Sequence, residues 1–217
     1  MGFSLETIVL WVVPVVFAIT LHEAAHGYVA KLFGDRTAEM LGRITLNPLK
    51  HIDPVGTLLV PGVMLVVAWL TNTPPLVFGW AKPVPVNFGN LRNPKRDMVW
   101  VAAAGPASNF LQALLWALLL AATTPASLWP SAGLFEMADI GFTVNLVLMA
   151  LNLLPVPPLD GGRVLAGLLP RSAGPVLARI EPYGLFIIVA LLVFGVLDDL
   201  MRPLMRVAAL IIRIIGL

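Results

Sequence analysis

Two histidines four residues apart enclose a glutamate in His22-Glu23-Ala24-Ala25-His26, an H-E-x-x-H pattern. On a helix, residues i and i+4 share one face with Cβ atoms about 5–6 Å apart, so both imidazoles can reach one zinc ion at about 2.0–2.1 Å. Glu23, beside the first histidine, can meet a water at the metal without being a ligand, which is the place of a general base. A pair of surface histidines on an amphipathic helix is the plainer reading of such a pattern. It fits poorly, because these residues lie in a long apolar stretch, where ionisable side chains are costly and mark function. The chain has 3 histidines and no cysteine, which excludes disulfides, thiolate zinc sites and a cysteine nucleophile.

A catalytic zinc site takes three protein ligands and keeps one position open. Asp160, which follows Pro155-Val156-Pro157-Pro158-Leu159 and precedes Gly161-Gly162, is the candidate for the third, with His51 and Asp53 as alternatives. Asp160 could instead cap a helix that begins near Arg163. Asn145 and Asn152 lie one heptad apart on one helix face, so they compete for a role at the site or in bonding a neighbouring helix. His51 and Asp53 sit in a loop that could supply partners to the ligands. In Gly105-Pro106-Ala107-Ser108-Asn109, the asparagine and serine read as helix-packing groups, with Gly105 and Ala107 permitting close approach. Pro106 is expected to kink its span, and Arg163 to snorkel to the interface.

The elements that position these residues belong in a bilayer. Of 217 residues, 59% are hydrophobic and 12% charged, with a mean hydropathy of +0.90. Soluble domains run nearer 45–50% apolar and about 25% charged. Residues 7–30, 98–122 and 140–159 are each long enough to cross as a helix, for which about 20 apolar residues suffice. A fourth span is expected at 183–197, extendable to Met201 by taking in Asp198 and Asp199. Residues 203–217, with Arg206 and Arg213 on one face, read as an interfacial or tilted helix. No signal peptide or myristoylation motif is expected at the Met1 end.

The net charge of +2 does not point to nucleic acid, because the lysines and arginines lie between the apolar runs. They cluster in 31–50, 82–96 and 163–179 and are missing from 123–135, which by the positive-inside rule puts the first three segments in the cytoplasm. Both flanks of 57–79 are then cytoplasmic. So short a stretch cannot cross twice as helices at about 1.5 Å per residue, so a re-entrant loop or hairpin is expected, with Pro61-Gly62 near its turn. Short strands are plausible in 34–56 and 80–97, which are rich in turn formers. The expected fold is an all-α polytopic bundle of about 4–6 transmembrane helices, forming a single membrane-embedded domain over 1–217, with a re-entrant or short β element at 34–97.

HEAAH in the first apolar helix, then GPASN (105–109), then the run from Asn152 through Gly162, resembles the site-2 protease family of intramembrane zinc metalloproteases. GRITLNPLKHIDPVGT (42–57) and GWAKPVPVN (79–87) look like its compact bacterial and archaeal branch, which lacks PDZ and CBS domains. The resemblance implies one zinc ion per chain held by His22, His26 and Asp160. It implies Glu23 as catalytic base and Asn152 as a polar residue that helps hold substrate or transition state. It also implies a multi-pass protein of the cell membrane, with its site near the cytoplasmic side and a transmembrane helix of another protein as substrate. One departure is that many relatives carry a further span before the HEAAH helix. A membrane metal carrier, or a non-catalytic protein that holds its clients, could use the same ligands; neither needs Glu23, whereas hydrolysis does.

Overall fold

The computed structural model describes residues 5–71, 73, 79–124 and 129–214. Among the described residues, four helical stretches are long and apolar enough to cross a membrane: Val9–Leu32, Pro94–Ala122, Ala132–Asn152 and Gly174–Val193. The first lies within α1 (Leu5–Leu32), and the next two are α4 and α5. Between α1 and α4 come a single turn α2 (Thr37–Met40) and a short helix α3 (Val60–Thr71). After α5 come α6 (Asp160–Leu168), α7 (Gly174–Ile180), α8 (Gly184–Val193) and α9 (Val196–Ile214). Among the described residues there is no strand.

Helix α4 is the centre of the bundle, packing against α1, α5 and α6, while α9 packs along α5. The contacts are made by small residues. Ala113, Ala117, Ala150 and Ala208 are buried between helices, and Gly141 leaves the room that the indole of Trp116 fills. This is membrane packing, in which backbones approach closely because lipid offers no hydrophobic drive between helices. Outward, Trp11, Phe17, Leu111 and Leu115 are exposed on a surface too apolar for water.

Several boundaries differ from expectation. The fourth span begins at Gly174 rather than near residue 183, and so takes in Arg179; Pro175 and Pro182 begin helical turns there instead of breaking them. It ends before Gly195, whose φ of +70° is the left-handed conformation that closes a helix. Asp198 and Asp199 therefore open α9. Helix α9 does carry a polar stripe, but its apolar face is built into the core through Leu197, Met201, Ala208 and Ile212. Residues 215–217 lie outside the described residues.

Residues 57–79 leave and return to one point: the Trp80 N–H donates to the Gly56 carbonyl at 3.1 Å, and the Thr57 hydroxyl to the Trp80 carbonyl at 2.9 Å. The outgoing arm is a helix, with a π-helical stretch Pro54–Leu59 running into α3. Pro61-Gly62 is thus not at a turn. Pro61 sits in the first turn of α3, where a missing N–H is tolerated. At about 18 Å for its 12 residues, α3 is too short to cross the roughly 30 Å hydrocarbon core. Residues 72 and 74–78 lie outside the described residues.

The strands expected in 34–56 and 80–97 do not form. Pro48, Pro54, Pro83 and Pro85 lack the N–H that a ladder requires. Residues 82–87 are instead held by the His51 carbonyl, which accepts the Lys82 N–H at 2.9 Å, and by side chains. Arg43 Nη2 donates to the Lys82 and Pro83 carbonyls at 2.9 and 3.3 Å, and the Asn87 N–H donates to Asp35 Oδ2 at 2.7 Å.

Candidate metal centre

The HEAAH turn lies nearly two turns before the end of α1 at Leu32, and its two histidines are buried, at 8% and 9% exposure. Their rings meet edge to face with centroids 4.7 Å apart. Each Nδ1 is bonded to an acceptor on α4. His22 Nδ1 donates to Asn109 Oδ1 at 2.6 Å, and His26 Nδ1 donates to the Val101 carbonyl at 2.7 Å. Both partners can only accept, so each ring carries a proton on Nδ1, and the neutral imidazole then presents its Nε2 lone pair to a metal.

Asp160 is the first residue of α6. It reaches the histidines because the turn before it is tight: a Cβ on Gly162 would lie 2.5 Å from Pro157 N, and one on Gly161 would overlap the Leu153 and Leu154 carbonyls. The two glycines let α6 begin against the back of that turn. Asp160 Oδ2 lies 3.1 Å from His22 Nε2 and 3.2 Å from His26 Nε2, and the two Nε2 atoms are 3.1 Å apart. A tetrahedral ion with bonds of about 2.0–2.1 Å spaces its ligand atoms roughly 3.3–3.4 Å apart. The triangle fits one such ion to within a few tenths of an ångström. Its chemistry asks for a cation too: two lone-pair nitrogens face a buried carboxylate oxygen that has no donor of its own. Among the described residues this is the only group of three such side chains that could share a metal.

His51 and Asp53 do not join it. His51 is buried with Nε2 bonded to the Thr45 carbonyl at 3.0 Å, and Asp53 Oδ1 caps the following turn by accepting from Val55 and Gly56 N–H. A cavity of about 150 Å³ opens onto the triangle and is lined in part by Glu23, Val84, Asn152 and Arg163. Glu23 Oε2 accepts the Val84 N–H at 2.7 Å. Pro83 and Pro85 have no N–H, so Val84 offers the single backbone donor in that stretch. Asn152 Nδ2 donates one proton to the Leu148 carbonyl at 3.0 Å, which leaves its second amide proton and its oxygen for the cavity. Arg163 does not merely snorkel: its guanidinium lies 5.5 Å from the centroid of the Phe88 ring, at the cavity wall. A larger cavity of about 370 Å³ along α3 is lined by Leu59, Gly62 and valines and holds no group that could do chemistry.

Sequence reasoning took Asn109 for a packing residue and passed over the Val101 carbonyl, the Val84 N–H and Arg43. The spacing of Asn109 within GPASN was visible; its partner on another helix was not. Asn145 is engaged at both ends: its oxygen accepts from Asn109 Nδ2 at 2.9 Å and its Nδ2 donates to the Gly141 carbonyl at 2.8 Å.

Residues 122–195 match the profile of Peptidase family M50. A Bacillus subtilis protein provisionally named zinc metalloprotease YwhC is 37% identical over 199 residues, covering 90% of this chain and 85% of that protein. A Mycolicibacterium smegmatis protein provisionally named zinc metalloprotease Rip2 is 33% identical over 183 residues, covering 83% of this chain and 65% of that protein. A Methanocaldococcus jannaschii protein provisionally named zinc metalloprotease MJ0611 is 40% identical over 65 residues, covering 30% of this chain and 31% of that protein. No solved structure matches.

Proposed function

The chain belongs to Peptidase family M50 and is a zinc metalloprotease with membrane-spanning helices, and from that premise we propose that it cuts a peptide bond within or near a transmembrane helix of another protein. His22, His26 and Asp160 hold one zinc ion, and residues 1–217 work as one membrane-embedded domain. The observation that carries this reading is the buried triangle of ligand atoms 3.1–3.2 Å apart with Glu23 on the same cavity.

Bound zinc supplies Lewis acidity, which makes water nucleophilic near neutral pH and polarises the substrate carbonyl. Glu23 takes the proton of the attacking water on its carboxylate and passes it to the leaving amine. The Val84 N–H bonded to Oε2 fixes the rotamer of that carboxylate, leaving Oε1 to face the water. Asn152 offers its second amide proton to the developing oxyanion or to the substrate backbone. A transmembrane helix must unwind before its carbonyls are open to attack, so helix-weakening residues near the scissile bond favour cleavage. In this reading the stretch 57–79 supplies new backbone partners to the unwound segment.

The site lies toward the cytoplasmic side in this reading. Lys31, Arg36 and Arg43 follow the HEAAH turn, Lys82 and Arg92 precede α4, and Lys95 and Arg96 lie in its first turn, as the positive-inside rule requires.

The test is zinc per chain together with cleavage in proteoliposomes, for wild type, Glu23→Gln and Asp160→Ala. Wild type and Glu23→Gln should each hold about one zinc, Asp160→Ala should lose most of it, and only wild type should cut single-span reporters carrying Gly or Asn in the span. Full zinc in Asp160→Ala would remove it from the ligand set. Cleavage of soluble peptides but of no membrane reporter would overturn the intramembrane substrate.

A further inference from the structure

Val101, Gly105 and Asn109 follow one another at four-residue spacing and so share one face of α4. All three are buried. The outer two hold the histidines, Val101 through its carbonyl on His26 and Asn109 through its amide oxygen on His22. Between them the face presents a residue without a side chain. A Cβ built on Gly105 would lie 2.5 Å from both Cε1 and Nε2 of His22, and closer still to Nε2 of His26. It would overlap both rings at the nitrogens from which a shared ion must sit about 2 Å away. Neither ring can swing away, because each is tied by its Nδ1 to the same helix on either side of the gap. Glycine inside a helix costs about 1 kcal/mol relative to alanine, so helix stability alone does not favour it here.

We propose that Gly105 is a positioning residue of the metal centre: its missing side chain is the opening in which the ion meets both imidazoles, and any larger residue there expels the ion. The inference rests on the ligand set proposed above.

The experiment uses the full chain in detergent, with zinc supplied alone and its affinity measured by chelator competition. Cobalt(II) in place of zinc reports the coordination geometry by its visible absorption. The matched control is Gly56→Ala, whose Cβ would overlap the Trp80 indole, outside the hydrogen bonds that hold the ligands. Gly105→Ala should weaken zinc binding about tenfold or more and alter the cobalt spectrum, while Gly56→Ala keeps both. A metal-free cycle separates the site from general packing. Gly105→Ala should lower thermal stability in the wild-type background, yet leave it unchanged or raised once His22→Ala and His26→Ala have emptied the gap. That background also serves if Gly105→Ala alone folds poorly. Wild-type zinc affinity in Gly105→Ala, equal losses in both glycine variants, or no coupling in the cycle would each overturn the inference while the ligand set stands. A wild-type chain that takes up no zinc would overturn both.

Discussion

Asn109 offers the most demanding test of the geometry. It is fully buried and makes three bonds: its Oδ1 accepts from His22 Nδ1 at 2.6 Å, and its Nδ2 donates to Asn145 Oδ1 at 2.9 Å and to the Ala18 carbonyl at 3.2 Å. Asn109→Ala leaves two buried groups without partners, His22 Nδ1 and Asn145 Oδ1; the Ala18 carbonyl still receives Gln112 Nε2 at 3.4 Å. Orphaned buried groups cost about 1–3 kcal/mol each in soluble proteins, whereas hydrogen bonds between membrane helices average only about 0.6 kcal/mol. The bundle should therefore lose roughly 1–3 kcal/mol and still fold. The larger effect falls on the metal, because the Nδ1 partner fixes the tautomer and aim of the ring. Zinc should bind about 10- to 100-fold more weakly, or roughly 1.4–2.8 kcal/mol. Asn109→Asp separates the two effects: it restores an acceptor for Nδ1 but loses the donor to Asn145 and Ala18. It should keep zinc while melting at lower temperature. Chelator competition gives the affinity and a melting curve in detergent gives the stability. Zinc affinity within twofold of wild type in Asn109→Ala would refute the reasoning.

Three further outcomes follow from the same contacts. Val84→Pro removes the N–H that orients Glu23; kcat should fall about tenfold or more while zinc per chain is unchanged, and a fall in zinc instead would make Val84 part of the metal cage. Asp35 is fully buried, which alone would push its carboxyl up, but donors on Thr37, Asn90 and Asn87 outweigh burial and hold it below the ordinary carboxylate range. A carboxyl so lowered adds stability above its ordinary pKa of about 3.9 and loses it as pH falls through the lower folded value. Asp35→Asn should then melt lower than wild type at neutral pH, with the gap closing below about pH 4, and equal acid slopes in the two would count against this. Gly195→Ala adds a Cβ with nothing within 4 Å of it, but at a φ of +70°, so melting curves should show a loss of about 1–2 kcal/mol from backbone strain alone.

What was legible in the sequence was local or compositional. Spans follow from apolar run length, and the pairing of His22 with His26 follows from helical periodicity, because neither depends on where other helices lie. Asp160 was within reach because it follows the third span at the level of His22 and His26, and because the run from Asn152 through Gly162 carries the family resemblance. The remainder depends on which helices cross and at what depth. Asn109 looks like any polar packing residue until α4 is known to pass His22. Residues 82–87 alternate prolines with valines and lysine in a way that suggests an edge strand; their partners turn out to be Glu23, Asp35 and Arg43, distant in the chain. The fourth span was set too late because the uncharged run begins only at Tyr183, after Arg179 and Glu181, whereas the helical path continues back through Pro175 and Pro182, both in first-turn positions.

Asn145 and Asn152 show how depth decides what periodicity leaves open. Seven residues apart on α5, they share a face and, by pattern, a claim to the site. About 10.5 Å separates them along the helix. At the level of Asn145 the face meets Asn109, and both ends of its amide are spent on that asparagine and on the Gly141 carbonyl. At the level of Asn152 the face meets the cavity that opens on Asp160, and one proton and one oxygen of its amide stay free. A residue can act on substrate only with groups the fold has not already used, so the proposed substrate contact rests on Asn152. Exchanging the two roles should fail: Asn145→Ala weakens zinc through Asn109, whereas Asn152→Ala leaves zinc binding intact and lowers kcat/KM about tenfold or more. Zinc titration and reporter cleavage on the two variants read the two effects separately, and the reverse pattern would reassign both residues.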